Sequence, residues 1–565
     1  MFETPRSVNS PFVVGISKQR DLEPSETGDL VCAVGHFLDD LARHLPNTEL
    51  HLMIERGDAA GGSSGGAIGD AIARAAIARG LHVEALVSPS RPDDASLGAV
   101  ATDTGTASSV TDVLIRRSSL LLALWDGSPS RAGDDTAATI ERFLGVRAER
   151  RDAAKAFEIA TVLDDSDVTA QLVFWVPVSR HGAVPPGGPP ARPRAPCYLH
   201  SVSDNVIDAL PDMPASLKRR LADLDEYNLE FARCRANGTL AGSESLMRGL
   251  APEMTAGDAA ILRNIDAQYV KADALAGHMQ WRSDRLFNLF GVMTFTMGIA
   301  YLIYDQIFES RILLIVYIVV LFAGFAAYYV FQQKRWFGKH LAYRALAETL
   351  RVRFYLALAG LDYRLHTGDL IALTGIHRFR GFSWIGFVLD TIESPALVAH
   401  QSDEAYRLRG RFVEETWVEG QYHYFVSKVA QMEKMSRRVD LMKGVVFVAA
   451  CVVIGAMFIF GEALHRVDSI TGLPVKNVLT FCSGFLAVLL GVWELRQNKM
   501  ATRELLWQYR NQLHQFARAR TQLQRSSSKR ARDDLLMELG DNSLMETYLW
   551  AIHRYHREHA PPALH

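Results

Sequence analysis

The stretch LHLMIERGDAAGGSSGGAIGDAIARAAIARG, residues 50–80, runs from an apolar segment through a glycine- and serine-rich loop into an alanine-rich segment. The first six residues are apolar almost throughout, without alternation, as suits a strand buried on both faces of a parallel sheet. The last part has helical spacing from near Ala67 and is ended by Gly80. Glycine tolerates backbone conformations that other residues resist, and a helix N-terminus offers unpaired N–H groups to an anion. The backbone from Gly61 to Gly66, with the Ser63 and Ser64 hydroxyls, is therefore expected to wrap a phosphate. The stretch fits neither GxGxxG nor GxxxxGK[ST], so its position between strand and helix carries the argument.

The same pattern recurs on both sides. FVVGIS (12–17), LHVEALV (81–87), LLLALW (120–125) and AQLVFWVPV (170–178) are short and apolar throughout, and helical runs such as GDLVCAVGHFLDDLARHL (28–45) lie between them. The alternation predicts a doubly wound α/β domain. Ligands of such sheets sit at the carboxyl ends of the strands. Two further loops at that edge are candidates: GISKQRD (15–21), and DGSPSRAGDDT (126–136) leading into the helical AATIERFL. The candidate ligand residues are Gly15, Ser17, Lys18, Gln19, Arg20 and Asp21 in the first loop. They are Gly61, Gly62, Ser63, Ser64, Gly65 and Gly66 in the second, and Asp126, Gly127, Ser128, Arg131, Gly133 and Thr136 in the third. Glu55, Asp58 and Asp126 read as helix caps or ribose partners. His36, His44 and His51 have no ligand spacing and read as surface or packing residues. The proline-rich SRHGAVPPGGPPARPRAP (179–196) is a loop or spacer, after which CYLHSV can add a last short strand.

VVGISKQRDL, the glycine-rich strand-to-helix loop and LLALWDGSPSRAGDDTAATI together resemble the SLOG superfamily over residues 11–200. That group includes DprA and LOG nucleotide-binding domains, the nucleotide-sensing region of TRPM channels and sensor domains of prokaryotic conflict systems. The resemblance implies a Rossmann-like domain that binds an ADP-ribose-like or cyclic nucleotide. Many relatives carry VGxTGHRDL in the first loop. Here Lys18 and Gln19 stand in place of Gly-His, while Arg20, Asp21 and Leu22 match. Gly133, Asp134, Asp135 and Thr136 replace the usual GGT and set two carboxylates where phosphate is expected. The LOG-type hydrolases carry PGGxGTxxE. In this chain Glu141 falls outside that spacing from Thr136, so binding is favoured over catalysis, with no catalytic residue assigned; a membrane-anchored LOG-like N-glycosidase is the alternative.

The remainder is dominated by four long, nearly uncharged segments: Leu286–Tyr304, Ile312–Phe331, Gly444–Gly461 and Val475–Trp493. Each is long enough to cross a bilayer, and they come as two hairpins. Basic residues collect on one side of them, at Arg282, Arg285, Lys334, Arg335, Lys339, Arg344, Lys434, Arg437, Arg438, Lys443, Arg496, Lys499 and Arg503. The hairpin tips hold only Arg311, Arg466 and Lys476. The bias predicts a multi-pass membrane protein with both termini and the long middle connection cytoplasmic and the two hairpin tips outside. The opening residues lack a basic start followed by an apolar core, so the N-terminal half is expected to stay where it is made. Thr294, Thr296, Thr480 and Ser483 can line an aqueous path, with ordinary polar packing within the bundle the favoured reading. Ser483, Ala487 and Gly491, with Cys451 and Gly455, form small faces that suit helix packing.

An amphipathic helix follows each hairpin, with stripes Leu346, Leu350, Phe354, Leu358 and Leu506, Tyr509, Leu513, Phe516. Phe354 lies 23 residues after Phe331, and Phe516 lies 23 after Trp493, as in a duplicated unit. This architecture, over residues 270–530, resembles the SLATT family of two-helix membrane effectors. It implies a pore-forming or membrane-disrupting effector of anti-phage defence, homo-oligomeric, with an upstream nucleotide-producing enzyme as a further partner.

The division expected is a tail (1–10), the SLOG-like domain (11–200), a helical coupling segment (201–285), a first hairpin with its helix (286–360), a cytoplasmic helical connection (361–443), a second hairpin with its helix (444–530) and a helical tail (531–565). The fold class is thus multidomain: an α/β Rossmann-like domain plus an all-α membrane domain with four transmembrane helices. A net charge of −2 over 565 residues gives no sign of a DNA or RNA partner. Cys32, Cys197, Cys234, Cys451 and Cys482 have no ligand spacing, so neither a metal nor a disulfide frame is expected, and no cofactor beyond the nucleotide ligand.

Overall fold

The structure, a computed structural model, describes residues 9–19, 21–55, 64–87, 100–103, 110–127, 136–145, 171–179, 195–203, 206–240, 242–250, 256–363, 370–371, 373–379, 381–392, 403–460, 474–500, 502–526 and 528–559. The chain divides into two compact units. One holds residues 1–239, 259–271 and 375–395, and the other holds 240–258, 272–374 and 396–565.

The first unit is built on an eight-stranded sheet. Its strands are β1 (Phe12–Lys18), β2 (Leu50–Glu55), β3 (His82–Val87), β4 (Val100–Asp103), β5 (Leu120–Trp125), β6 (Leu172–Pro177), β7 (Cys197–Ser203) and β8 (Val206–Leu210). The order is β4-β3-β2-β1-β5-β6-β7-β8. The first six pair in parallel, and β7 and β8 add an antiparallel edge. The five apolar runs are strands, and CYLHSV supplies β7. Strand β4 and strand β8 are additions. VATD is only four residues long and has no apolar run to mark it.

Helices cover both faces, which is why the strands lack alternation. On one face α3 (Val110–Arg117) and α4 (Thr136–Phe143) bring Leu114, Ala137, Ile140 and Phe143 onto Val13, Met53, Leu121, Ala123, Trp125 and Val173. On the other, Phe37 of α1 (Thr27–His44) stacks on Phe174 of β6 with ring centroids 4.0 Å apart. A short helix, α9 (Ile385–Asp390), sets Phe387 edge-on to Phe12 of β1 at 5.0 Å. Both α5 (Ala215–Ala236) and residues 259–271 of α6 (Ala256–Gln306) also belong to this unit. The sequence had placed these segments in the coupling region and the cytoplasmic connection. A buried polar cluster joins them: Lys271 Nζ donates to Ser10 Oγ (3.2 Å) and to Asn228 Oδ1, over the Tyr227 ring.

At the start of β2, His51 stacks on His82 of β3 with centroids 4.5 Å apart. Burial first, then the charge of His82, holds the His51 pKa below the usual imidazole value, outweighing the opposite pull of Glu49 and Glu84. Folding therefore favours neutral His51. That contribution is complete above the unfolded pKa of about 6.5 and is lost as pH falls below it. His51→Gln is expected to flatten the decline in denaturant midpoint between about pH 6.5 and 5. An unchanged slope in guanidinium titrations of the variant would refute the assignment.

The second unit is helical. After α6 come α7 (Arg311–Lys334) and α8 (Trp336–Leu358), separated by Arg335 in a left-handed conformation at φ 50°. Then follow α10 (Asp403–Val413), a π-helical turn at Glu414–Glu419, α11 (Gly420–Ile459), α12 (Val475–Met500), α13 (Thr502–Arg525) and α14 (Lys529–His559). Among the described residues, four helices are long and apolar enough to cross a membrane, and at most 6% of each apolar window is buried. Ile312, Phe325 and Phe458 are 70%, 71% and 90% exposed, a surface that water does not tolerate and lipid does.

Glycines set the packing of these helices. A Cβ on Gly298 of α6 would lie 2.8 Å from Val488 Cγ1, and one on Gly484 of α12 would lie 2.6 Å from Leu302 Cδ2. The close approach in the fourth span is made by Gly484, one residue off the expected face of Ser483, Ala487 and Gly491, while a Cβ on Gly491 or Gly455 would meet nothing within 4 Å. The hydroxyls of Thr294, Thr296, Thr480 and Ser483 all donate to carbonyls of their own helices at 2.9–3.0 Å. The first predicted stripe, Leu346, Leu350, Phe354 and Leu358, is wholly buried. In the second, Phe516 is buried and packs edge-on to Trp417 of the π turn, which stacks on Tyr355 at 5.6 Å.

Candidate ligand site at the carboxyl edge of the sheet

The strand order reverses between β1 and β5, whose neighbours run outward in opposite directions. At such a point the loops after the two strands part to opposite faces and leave a crevice at their carboxyl ends. Both loops carry candidate residues, and the register places Ser17 beside Ala123 and Lys18 beside Leu124.

Lys18 ends β1 and reaches toward β2, donating from Nζ to the Glu55 carbonyl oxygen at 3.1 Å. Its stem crosses α2 (Ser64–Ala78) at Gly69, where a Cβ would stand 2.7 Å from Lys18 Cε. A side chain at position 69 would push the ammonium away, so the glycine in this alanine-rich helix keeps it there. Ser64, Gly65 and Gly66 occupy the first turn of the same helix. The first turn of a helix carries the positive end of its dipole, and the Lys18 ammonium lies further along the same helix, at Gly69.

The next residue does something else. Gln19 is buried, and its side chain closes on Asp126: Nε2 donates to Asp126 Oδ1 at 2.8 Å, while Oε1 accepts the Asp126 N–H at 3.1 Å. Its own N–H donates to Leu124 O at 3.2 Å. The segments after β1 and β5 are thereby locked together by an amide that satisfies a buried carboxylate.

Gly127 follows with φ 79°, and a Cβ there would meet the Trp175 ring at 3.4 Å, so glycine fits both the backbone and the space. Trp175 donates from Nε1 to Trp125 O at 2.7 Å and holds the end of β5. Ser17 is buried within β1, Thr136 is buried at the start of α4, and Asp21 is exposed. Gly15 lies in mid-strand, where its missing Cβ makes room for Ser118. Arg20, Gly61, Gly62, Ser63, Ser128, Arg131 and Gly133 lie outside the described residues.

Compared with known proteins, the chain matches no family model, no curated protein and no solved structure.

The chemistry is therefore read from the residues. A lysine ammonium on a helix that starts at the carboxyl edge of the sheet favours an anion, and the buried Asp126 carboxylate is engaged by Gln19. Glu141, the carboxylate weighed for hydrolysis, is buried on α4 and has partners of its own. Among the described residues, no three His, Cys, Asp or Glu side chains gather as a metal set. The pairing of Gln19 with Asp126 and the dependence of Lys18 on Gly69 were not apparent from the chain. The glycine inside an otherwise strong helix was the only available signal for the second.

Proposed function

We propose that the protein is a nucleotide-sensing membrane effector of a prokaryotic anti-phage defence system. A Rossmann-like, SLOG-like sensor binds an ADP-ribose-like or cyclic nucleotide, and two SLATT-like hairpins of an inner-membrane homo-oligomer then open a pore or disrupt the bilayer. The observation that carries this reading is the Lys18 ammonium, held between Gly69 of α2 and the Glu55 carbonyl at the carboxyl end of β2, at the sheet edge where the strand order turns. Such an edge holds phosphate groups through backbone N–H donors and one positive charge. The four apolar helices support the membrane half. Helix α6 carries residues 259–271 in the sheet unit and continues to Gln306 without a break, as suits transmission of ligand binding. Binding drives opening only if the nucleotide prefers one state of the membrane helices.

The test is dye release from liposomes carrying the full-length protein, with a panel of cyclic nucleotides and ADP-ribose derivatives. Leakage is expected with one ligand class and none without it. Lys18→Met is expected to raise the concentration needed by about ten- to a hundredfold, since hydrogen bonds to charged groups contribute about 1.5–3 kcal/mol. Leakage indifferent to every nucleotide would overturn the reading.

A further inference from the structure

Helices α13 and α14 meet along a polar seam. Asn511 Nδ2 donates to Glu546 Oε2 at 2.8 Å, and Gln515 Nε2 donates to the same oxygen at 3.3 Å. Gln512 Nε2 donates to the Ser543 carbonyl at 3.4 Å. The donors of these amides thus face α14, and the oxygens left over are short of partners. Glu546 Oε1, Gln512 Oε1, Gln515 Oε1 and, one turn earlier, Gln508 Oε1 are buried with no hydrogen bond. Among the described residues, every buried amide or carboxylate oxygen left in that condition belongs to this seam.

The pattern is one of too many acceptors. Turning the Gln515 amide would set its oxygen against Glu546 Oε2, so a flip exchanges the unpaired atom without supplying a donor. Glu546 is 9% exposed, and its hydrogen-bonding partners are neutral amides. A buried carboxylate needs a positive charge or a proton. One proton on Glu546 would still leave the glutamine oxygens unserved. A cation between Glu546, Gln512 and Gln515 serves these oxygens together, because carbonyl oxygens can replace its hydration shell.

We infer that this seam holds one monovalent metal cation, K+ or Na+, between the Glu546 carboxylate and the side-chain oxygens of Gln512 and Gln515. One carboxylate balances a single charge. Among the described residues no cluster of three acidic, histidine or cysteine ligands exists to balance more. The inference is independent of the ligand at the sheet edge.

Thermal unfolding of the full-length protein in detergent, in KCl, NaCl and choline chloride of equal ionic strength, tests it. Potassium or sodium is expected to raise the melting temperature by about 3 °C or more over choline, because an ion that binds only the folded state stabilises it. Hydrogen exchange in α13 and α14 is expected to slow in step. Glu546→Gln is expected to remove the difference between salts. Should that variant fail to fold, Gln512→Met decides: its half-saturating salt concentration must rise by at least about threefold. Equal melting in all three salts, a difference that survives in E546Q, or an unchanged half-saturation in Q512M overturns the inference.

Discussion

Replacing Arg117 by alanine is expected to destabilise the sheet unit by about 3–5 kcal/mol, because it strands a charge inside the fold. Arg117 closes α3, and Glu84 sits in β3 with its side chain only 10% exposed. The two meet bidentately, Nη1 to Oε1 at 2.6 Å and Nη2 to Oε2 at 2.8 Å. Parallel N–H donors of this kind fit a carboxylate better than any lysine can. Without them Glu84 must either stay charged in an apolar surrounding or take up a proton, and both are unfavourable. Guanidinium unfolding followed by hydrogen exchange in β1–β3 measures the loss. The double variant Glu84→Leu, Arg117→Met is the control, since removing both charges is expected to restore most of the stability. A loss under about 1 kcal/mol for Arg117→Ala would place the pair among solvated surface bridges.

Gly15→Ala is the second substitution expected to act strongly. A Cβ there would stand 2.0 Å from Ser118 Oγ and 3.0 Å from both Ser118 Cβ and Leu114 Cδ1. Nothing nearby yields easily. Ser118 Oγ donates to Leu114 O at 2.6 Å, and the following N–H, of Ser119, donates to Val13 O at 2.9 Å. The added methyl must displace α3 from the sheet or turn the serine away from its carbonyl, at a cost of about 1–3 kcal/mol. Ser118→Gly in the same chain removes the two serine atoms, leaving only the flexible Leu114 Cδ1, and is expected to recover most of the melting temperature. Failure of that rescue would show that β1 itself is strained by a side chain at position 15. Because Lys18 lies three residues further along β1, the single variant is also expected to weaken ligand binding at the crevice.

These two positions mark where local reading ends. That β1, β2, β3, β5 and β6 are strands follows from their apolar runs, since burial on both faces leaves no polar alternation to obscure. The four apolar helices follow from length and hydropathy alone. Gly15, by contrast, was grouped with the ligand loop because it stands near one in the chain. Its neighbour across the fold, Ser118, gives it a packing role. Gln19 and Asp126 were read as two separate ligand contacts, yet they bond to each other. Of the crevice, the loops and their helices were legible from the chain, and the pairing inside it was not.

The amino-acid sequence by itself determined that β1, β2, β3, β5, β6 and β7 are strands and which segments are apolar enough for lipid, because each of those properties is set within one short window of chain; the short edge strands β4 and β8 left no such mark. Tertiary structure alone decided the strand order that turns between β1 and β5, the membership of residues 259–271 and 375–395 in the sheet unit, and the oxygen-rich seam of α13 and α14. Each joins residues far apart in the chain or in separate helices, and such contacts depend on geometry and packing that no local periodicity encodes.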